Sequence, residues 1–238
     1  MDQIPLVCIP FAGAGASFFH PWQALSPDEI QLLTIQLPGR EWRLAEEPYR
    51  DAATAVSEIF PELAEELDWG GPVMLFGHSL GAVLAYELAH QFCVTPGFDV
   101  ARLFVSGSPG PWTRRARRAT GLPDEEFFER VSEFAEYSDD TLENPEVREL
   151  ILPALRADVE MHEEYVPGSS GALPAPITSL RGSEDQLVPA ESAAEWAQAT
   201  DREFELVHLP GGHMYLMHSA AEILSLARES ARQWQPAR

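Results

Sequence analysis

The sequence has no lysine, only two cysteines and no apolar run long enough to cross a membrane. Its 16 basic residues are all arginine and face 38 acidic residues, so the formal net charge of the 238-residue chain is −22. This charge argues against nucleic-acid binding, because the neutralisation of phosphates supplies most of that affinity. We attribute the acidity mainly to solubility. Cys8 and Cys93 lack the spacing of a zinc site or of a disulfide framework.

The N-terminal stretch MDQIPLVCIP lacks the basic and the long apolar regions of a signal peptide. A membrane-spanning helix needs roughly 20 consecutive apolar residues, and no run approaches that length. We therefore expect a soluble, cytoplasmic protein with a monomer as the default state. The hydrophobic content of 45% is enough for a sizeable core, and the length suits one large domain or two small ones.

Short apolar runs alternate with segments of helical period along most of the chain. Near-continuous hydrophobicity is typical of strands that are covered on both faces of a sheet. Six such runs predict strands at 5–10, 31–37, 72–76, 101–107, 176–182 and 203–209. Apolar residues at intervals of three and four predict helices at 50–69, directly after Ser79, at 190–199 and at 221–234. The alternation predicts an α/β fold with a mostly parallel central sheet and helices on both faces.

One segment, residues 112–174, interrupts this alternation and contains no convincing strand. We call it the insertion. An apolar stripe predicts a helix at 122–134. Asn144 followed by Pro145 is typical of a helix start, and we expect Pro153 to break or restart that second helix. The simplest interpretation is a helical lid over the edge of the sheet, and the alternative is an ordinary peripheral subdomain.

Residues 77–81, Gly-His-Ser-Leu-Gly, match the pattern G-x-S-x-G where a predicted strand gives way to a predicted helix. At such a turn the serine is held in a strained backbone conformation, and the flanking glycines let strand and helix pass closely. The hydroxyl of Ser79 is then presented at the carboxyl-terminal edge of the sheet, beside the positive end of a helix. This context makes Ser79 a candidate nucleophile, which the five-residue pattern alone does not.

A serine nucleophile needs a base, and in this architecture the chain order is serine, acid, histidine. His213 is the candidate base, because it follows the last predicted strand in a loop that contains glycine. Three other downstream histidines are less suited, since they fall in the insertion, within a strand and near the final helix: His162, His208 and His218.

The orienting acid should follow the fifth predicted strand. Asp185 is preferred, because the turn that begins at Gly182 ends there, just before a new helix, and Glu184 is the alternative. Together the three candidates predict the machinery of acyl transfer.

Acyl transfer also needs donors for the oxyanion. The backbone N–H of Leu80, directly after the nucleophile, should be one. The second should come from the Gly/Ala-rich loop at 10–17, where Ala12 is preferred over Phe11. This loop lacks the third glycine of a dinucleotide-binding fingerprint.

With these residues in place, the chain strongly resembles the α/β-hydrolase thioesterases, and among them the stand-alone type II thioesterases of polyketide and nonribosomal peptide synthesis. The similarity spans almost the whole chain. It is carried, in order, by the motifs IPFAGAGASFF, QLPGREWRLAEEPYRD, FGHSLGAVLAYELA, VSGSPGP, LPALRADVEMHEEY, GSEDQLVP and LPGGHMYL.

The resemblance implies one α/β-hydrolase domain over residues 1–238, with the insertion at 112–174 as its lid. It also implies a catalytic triad of Ser79, Asp185 and His213, and no metal or cofactor. The expected activity is removal of stalled acyl groups from the phosphopantetheine arm of acyl or peptidyl carrier proteins. Two other functions stay open: a product-releasing thioesterase or general carboxylesterase on the same fold, and a non-catalytic binding protein.

Four arginines follow the fourth predicted strand within five positions. We call them the arginine cluster: Arg114, Arg115, Arg117 and Arg118. Carrier proteins of these pathways are commonly acidic, so this cluster is a candidate docking surface for the carrier protein or for the phosphate of its arm. The alternative is that the cluster balances the acidic stretch 123–164, which has fifteen acidic residues against three arginines.

Overall fold

The computed structural model describes residues 3–113, 118–135, 144–168 and 171–234, apart from the side chains of residues 134 and 135. Six parallel strands form one sheet in the order β2-β1-β3-β4-β5-β6. The strands are β1 Ile4–Ile9, β2 Ile30–Thr34, β3 Gly71–His78, β4 Phe98–Ser106, β5 Ile177–Gly182 and β6 Phe204–Leu209. All six predicted strands are thus confirmed, with ends that lie within three residues of the predicted ones.

Helices connect the strands. They are α1 His20–Gln23, α2 Ala52–Glu66, α3 Leu80–Val94, α4 Asp124–Ala135, α5 Pro145–Glu163, α6 Ala190–Ala194 and α7 Ala220–Gln233. A 3₁₀ turn at Glu195–Ala199 continues α6. No helix in these described ranges is both long enough and apolar enough to cross a membrane.

The central strands β1 and β3 are covered on both faces, which explains why they are apolar over most of their length. In β1, Val7 and Ile9 belong to a core shared with α2 and α3, whereas Leu6 and Cys8 belong to a second core shared with α7. Successive side chains of a strand point to opposite faces, so two cores require apolar residues at every position.

The prediction that Pro153 breaks or restarts the second helix of the insertion is wrong. The side chain of Asn144 caps α5 by accepting a hydrogen bond from the backbone N–H of Glu146 at 3.0 Å, and the helix then runs through Pro153 without interruption. Proline removes one hydrogen bond, toward the carbonyl four residues earlier. That residue, Glu149, is exposed, so its carbonyl does not have to be paired within the protein, while the buried residues that follow Pro153 hold the helix against the protein.

The strand order determines where a ligand-binding crevice opens at the edge of the sheet. Because β1 lies between β2 and β3, the chain leaves β1 toward one side of the sheet and leaves β3 toward the other. A crevice opens at the carboxyl ends of two parallel strands where the connections diverge in this way, and ligands bind there. The loop after β1 and the turn after β3 therefore flank one crevice.

Candidate functional site

Ser79 occupies a strained turn between the last residue of β3 and the first residue of α3. Its φ of 54° and ψ of −113° lie in a region that residues other than glycine rarely adopt. The backbone N–H of Ser79 donates to the carbonyl of Ser106 at 2.8 Å, and its carbonyl accepts from the N–H of Ala82 at 3.1 Å. Neighbouring backbone from β4 and from α3 thus holds the strained residue in place.

Glycines on either side of Ser79 make this turn sterically feasible. A Cβ atom on Gly77 would lie 1.9 Å from the carbonyl oxygen of Gly81. A Cβ atom on Gly81 would lie 2.4 Å from the carbonyl oxygen of Ile9 at the end of β1. Both distances are shorter than any van der Waals contact, so the pattern G-x-S-x-G is a direct requirement of the packing of β1, β3 and α3.

Asp185 and His213 meet at the same edge of the sheet, after β5 and β6. The Nδ1 atom of His213 lies 2.9 Å from Oδ2 of Asp185, and both side chains are buried. The other carboxylate oxygen, Oδ1, accepts hydrogen bonds from the backbone N–H groups of Leu187 and Val188 at 2.8 and 3.0 Å. Glu184, the alternative acid, is exposed.

The electrostatics of this pair favour a charged carboxylate. Burial acts to raise the pKa of Asp185, but the hydrogen bond from His213 and the two backbone N–H donors outweigh burial, so the pKa lies below its usual value. In a neutral imidazole, the Nδ1–H donated to this carboxylate fixes the tautomer whose lone pair lies on Nε2. Such a group is suited to accept a proton from a hydroxyl.

One cavity joins Ser79 to His213. Ala12 and Phe11, the two candidates for the second oxyanion donor, also line it. Leu80, the other candidate donor, is the first residue of α3, and the first N–H groups of a helix have no acceptor within the helix. The structure therefore collects the predicted nucleophile, base and donor loop around a single space.

Helices of the insertion form the apolar wall of this cavity. Val131 of α4 and both Leu155 and Val159 of α5 line it, together with the polar residues His162 and Glu163. His162, one of the three histidines judged less suited as the base, shares the cavity with Ser79. The other two histidines differ: His208 lies within β6, with Nδ1 3.2 Å from the guanidinium of Arg181, and His218 follows a 3₁₀ turn.

A buried polar network behind His213 was missed by the sequence reasoning. The Nδ1 atom of His78 lies 2.8 Å from the hydroxyl of Ser106, and that hydroxyl lies 2.5 Å from the hydroxyl of Tyr215. The ring centroids of His78 and His213 are 4.9 Å apart. Burial raises the pKa of Tyr215 above its usual value, so this phenol stays neutral. A signal existed, because His78 and Ser106 end neighbouring strands and pair in register.

Of the arginine cluster, only Arg118 lies within the described residues. Its guanidinium pairs with Glu164, and its Nε lies 3.6 Å from a carboxylate oxygen of Glu163. That carboxylate also accepts from the backbone N–H groups of Ala119 and Thr120, at 2.6 and 2.9 Å. For Arg118, these contacts favour the alternative of charge balance with the acidic insertion.

Among the residues that the structure describes, no group of three or more His, Cys, Asp or Glu side chains could hold a metal ion.

Proteins of known sequence and structure resemble this chain over most of its length. A family model described as "Thioesterase domain" matches residues 4–230. Gramicidin S biosynthesis protein GrsT of Aneurinibacillus migulanus is 34% identical over 233 residues, which cover 97% of this chain and 90% of that protein. Thioesterase PikA5 of Streptomyces venezuelae is 33% identical over 222 residues, which cover 93% of this chain and 79% of that protein.

A solved structure, the type II thioesterase BorB from the borrelidin biosynthetic cluster, superposes with a TM-score of 0.86 and 35% identity, over 97% of this chain and 93% of that one. These similarities confirm the predicted α/β-hydrolase fold and the resemblance to type II thioesterases.

Proposed function

The chain belongs to the thioesterase family, and from that premise we propose that it hydrolyses acyl thioesters on the phosphopantetheine arm of carrier proteins. The carrier is of the acyl or peptidyl type, and the role is to remove stalled or aberrant acyl groups. Relatives named for gramicidin S biosynthesis and for the borrelidin cluster support this assignment. The observation that carries the proposal is the cavity that Ser79 and His213 both line, with His213 paired to the buried Asp185.

In the proposed mechanism, Nε2 of His213 takes the proton of Ser79 as the serine oxygen attacks the thioester carbonyl. The backbone N–H groups of Leu80 and Ala12 stabilise the oxyanion. The tetrahedral intermediate collapses, the carbon–sulfur bond breaks, and the imidazolium protonates the departing pantetheine thiolate. His213 then activates a water molecule that hydrolyses the acyl-serine ester and releases a carboxylic acid. Asp185 fixes the imidazole tautomer and stabilises its cation.

We assign the insertion, residues 112–174, to a lid within a single domain that spans residues 1–238. Three apolar side chains of the insertion, Val131, Leu155 and Val159, line the cavity that holds Ser79. An apolar wall supports binding of the acyl chain rather than of the polar arm. The shape of the insertion then sets which acyl groups are accepted.

We further propose that Arg114, Arg115 and Arg117 dock the carrier protein or the phosphate of its arm. The formal net charge of −22 opposes encounter with an acidic partner, so a local basic patch is needed. Arg118 is left out of this proposal, because it pairs with Glu163 and Glu164 at the end of α5. The cytoplasmic location and the monomeric state of the protein are predictions from the sequence.

A hydrolysis panel tests the proposal. The substrates are an acyl-carrier protein, the matching acyl-pantetheine and a nitrophenyl ester of the same acyl group, and Ser79→Ala is the blank. We expect kcat/KM to fall in that order, because only the first substrate presents every recognised part. A higher kcat/KM for the nitrophenyl ester would instead indicate a general carboxylesterase. Failure of a fluorophosphonate to label Ser79 in the folded protein would indicate a non-catalytic binding protein.

A further inference from the structure

A buried ion pair joins the segment after β2 to the insertion. The Nη1 atom of Arg40 lies 2.5 Å from Oδ2 of Asp158 in α5, and Nη2 lies 2.8 Å from Oδ1. Only 9% of the arginine side chain and 1% of the aspartate side chain are exposed. A bidentate pair of this kind is directional as well as strong, because two parallel hydrogen bonds fix the angle between its partners.

Both members of this pair also hold the loop after β1. The backbone N–H of Gly13 donates to Oδ2 of Asp158 at 2.8 Å. The carbonyl of Ala14 accepts from Nη1 of Arg40 at 3.2 Å. Gly13 has a φ of +79° and directly follows Ala12, so the anchored peptide of Gly13 adjoins the proposed oxyanion donor.

The far end of the same loop is tied to the same segment. The side-chain oxygen of Gln36 accepts from the backbone N–H of Ala16 at 3.0 Å. The amide nitrogen of Gln36 donates to the carbonyls of Leu37 and Arg40 at 2.9 and 3.3 Å. The loop after β1 is therefore anchored by hydrogen bonds to Arg40, Gln36 and Asp158. Of these three residues, Asp158 belongs to the insertion.

We propose that Arg40 and Asp158 are positioning residues that orient the loop carrying the Ala12 N–H, so that the oxyanion site is complete only when α5 is docked. This inference rests on the proposed function in one respect, the assignment of Ala12 as an oxyanion donor. It gives the insertion a second role, since a helix that walls the acyl cavity also sets the geometry of the catalytic loop.

The expected effect on catalysis follows from the geometry. Removal of one oxyanion donor costs about 10²–10³ in kcat, and a displacement of reacting groups by about 1 Å costs about 10². A loop that is no longer anchored at Gly13 still carries the Ala12 N–H, but that donor is no longer held in position. We therefore expect a loss of about 30- to 100-fold in kcat with little change in KM.

Asp158→Asn tests this with little change in shape. The amide NH₂ group faces a donor in either orientation: at the Oδ2 position it faces the Gly13 N–H and Nη1 of Arg40, and at the Oδ1 position it faces Nη2 of Arg40. The bidentate pair that fixes residue 158 against the loop is therefore lost in both orientations. The matched control is Glu160→Gln, two residues further along α5. Glu160 pairs with Arg50 at 3.0 Å, and both of those side chains are substantially exposed. With acyl-pantetheine as substrate, kcat should fall only in Asp158→Asn.

A second variant separates positioning from stability. The double replacement Arg40→Met with Asp158→Leu removes both charges and leaves neither buried alone, so the fold should be kept. It still removes the anchor of Gly13. We expect a melting temperature near that of the wild type together with a kcat as low as that of Asp158→Asn. A purely structural pair would predict that kcat recovers with the melting temperature.

Two readouts decide the outcome. The first is kcat and KM for acyl-pantetheine, and the second is the rate at which a fluorophosphonate labels Ser79, which also places an anionic oxygen in the oxyanion site. Equal values for Asp158→Asn and Glu160→Gln, or a recovered kcat in the double variant, would overturn the inference. Failure of the wild type to cleave acyl-carrier protein would overturn the proposed function alone, because the labelling rates still test the inference.

Discussion

The strain at Ser79 is measurable, because two substitutions remove the same hydroxyl but differ in the strain that they leave. Ser79→Ala keeps a Cβ atom on a residue with φ of 54° and ψ of −113°. Ser79→Gly removes that atom and with it the steric conflict. The difference in melting temperature between the two variants therefore isolates the backbone strain at the nucleophile.

The size of the difference can be worked out. A residue held in a sparsely populated backbone region costs about 1–3 kcal/mol, and we take about 2 kcal/mol. Glycine offsets part of this gain, because it loses about 0.5–1 kcal/mol more conformational entropy on folding. The net stabilisation of Ser79→Gly over Ser79→Ala is then about 1 kcal/mol. For a chain of this size, that corresponds to about 2–4 °C in melting temperature.

Differential scanning calorimetry of both variants at the same pH and concentration measures this difference directly. Neither variant turns over substrate, so activity plays no part in the comparison. Our reasoning requires Ser79→Gly to melt higher than Ser79→Ala. A lower or equal melting temperature would refute the view that hydrogen bonds from β4 and α3 hold Ser79 against its own conformational preference.

Three further predictions concern the acid, its titration and the docking surface. Asp185→Asn should lower kcat by about 10⁴, since an amide stabilises the wrong imidazole tautomer, whereas Glu184→Gln should match the wild type in steady-state assays. Because the pKa of Asp185 is lowered by folding, its charge contributes stability that is complete above about pH 4 and is lost as pH falls through the lowered pKa. In a series of thermal melts below pH 4, the melting temperature of the wild type should therefore fall faster than that of Asp185→Asn. If the wild type instead gained melting temperature relative to Asp185→Asn as the pH fell, the sign of this argument would be wrong. Replacement of Arg114, Arg115 and Arg117 by glutamine should raise the apparent KM for acyl-carrier protein but not for acyl-pantetheine, and equal effects on both substrates would exclude docking.

Much of this fold can be predicted from local patterns in the sequence. A strand buried on both faces has to be apolar at every position, so β1 and β3 are recognisable without any partner. The turn at Ser79 is recognisable for a similar reason, since Gly77 and Gly81 are demanded by contacts with backbone that no side chain can relieve. Ser79, Asp185 and His213 follow β3, β5 and β6, so the candidate acid and base could be sought in the loops after two predicted strands.

Other features depend on pairs of residues that only the folded chain brings together. Arg40 and Asp158 are 118 positions apart, and neither lies in a local pattern that predicts the other. The continuation of α5 through Pro153 is decided by the buried residues after it and not by the proline itself. Local propensity is weak against such tertiary contacts, so sequence reasoning missed the ion pair and misjudged the helix.

The acyl-enzyme offers the most direct test of the proposed chemistry. Rapid mixing with acyl-pantetheine, an acid quench within one turnover and mass spectrometry of the digested protein would locate the acyl group. We predict one acyl adduct on the peptide that contains Ser79, which disappears in Ser79→Ala and decays as free carboxylic acid is released. Turnover with no adduct at any time, or with the acyl group on another residue, would contradict the assignment of Ser79 as the nucleophile.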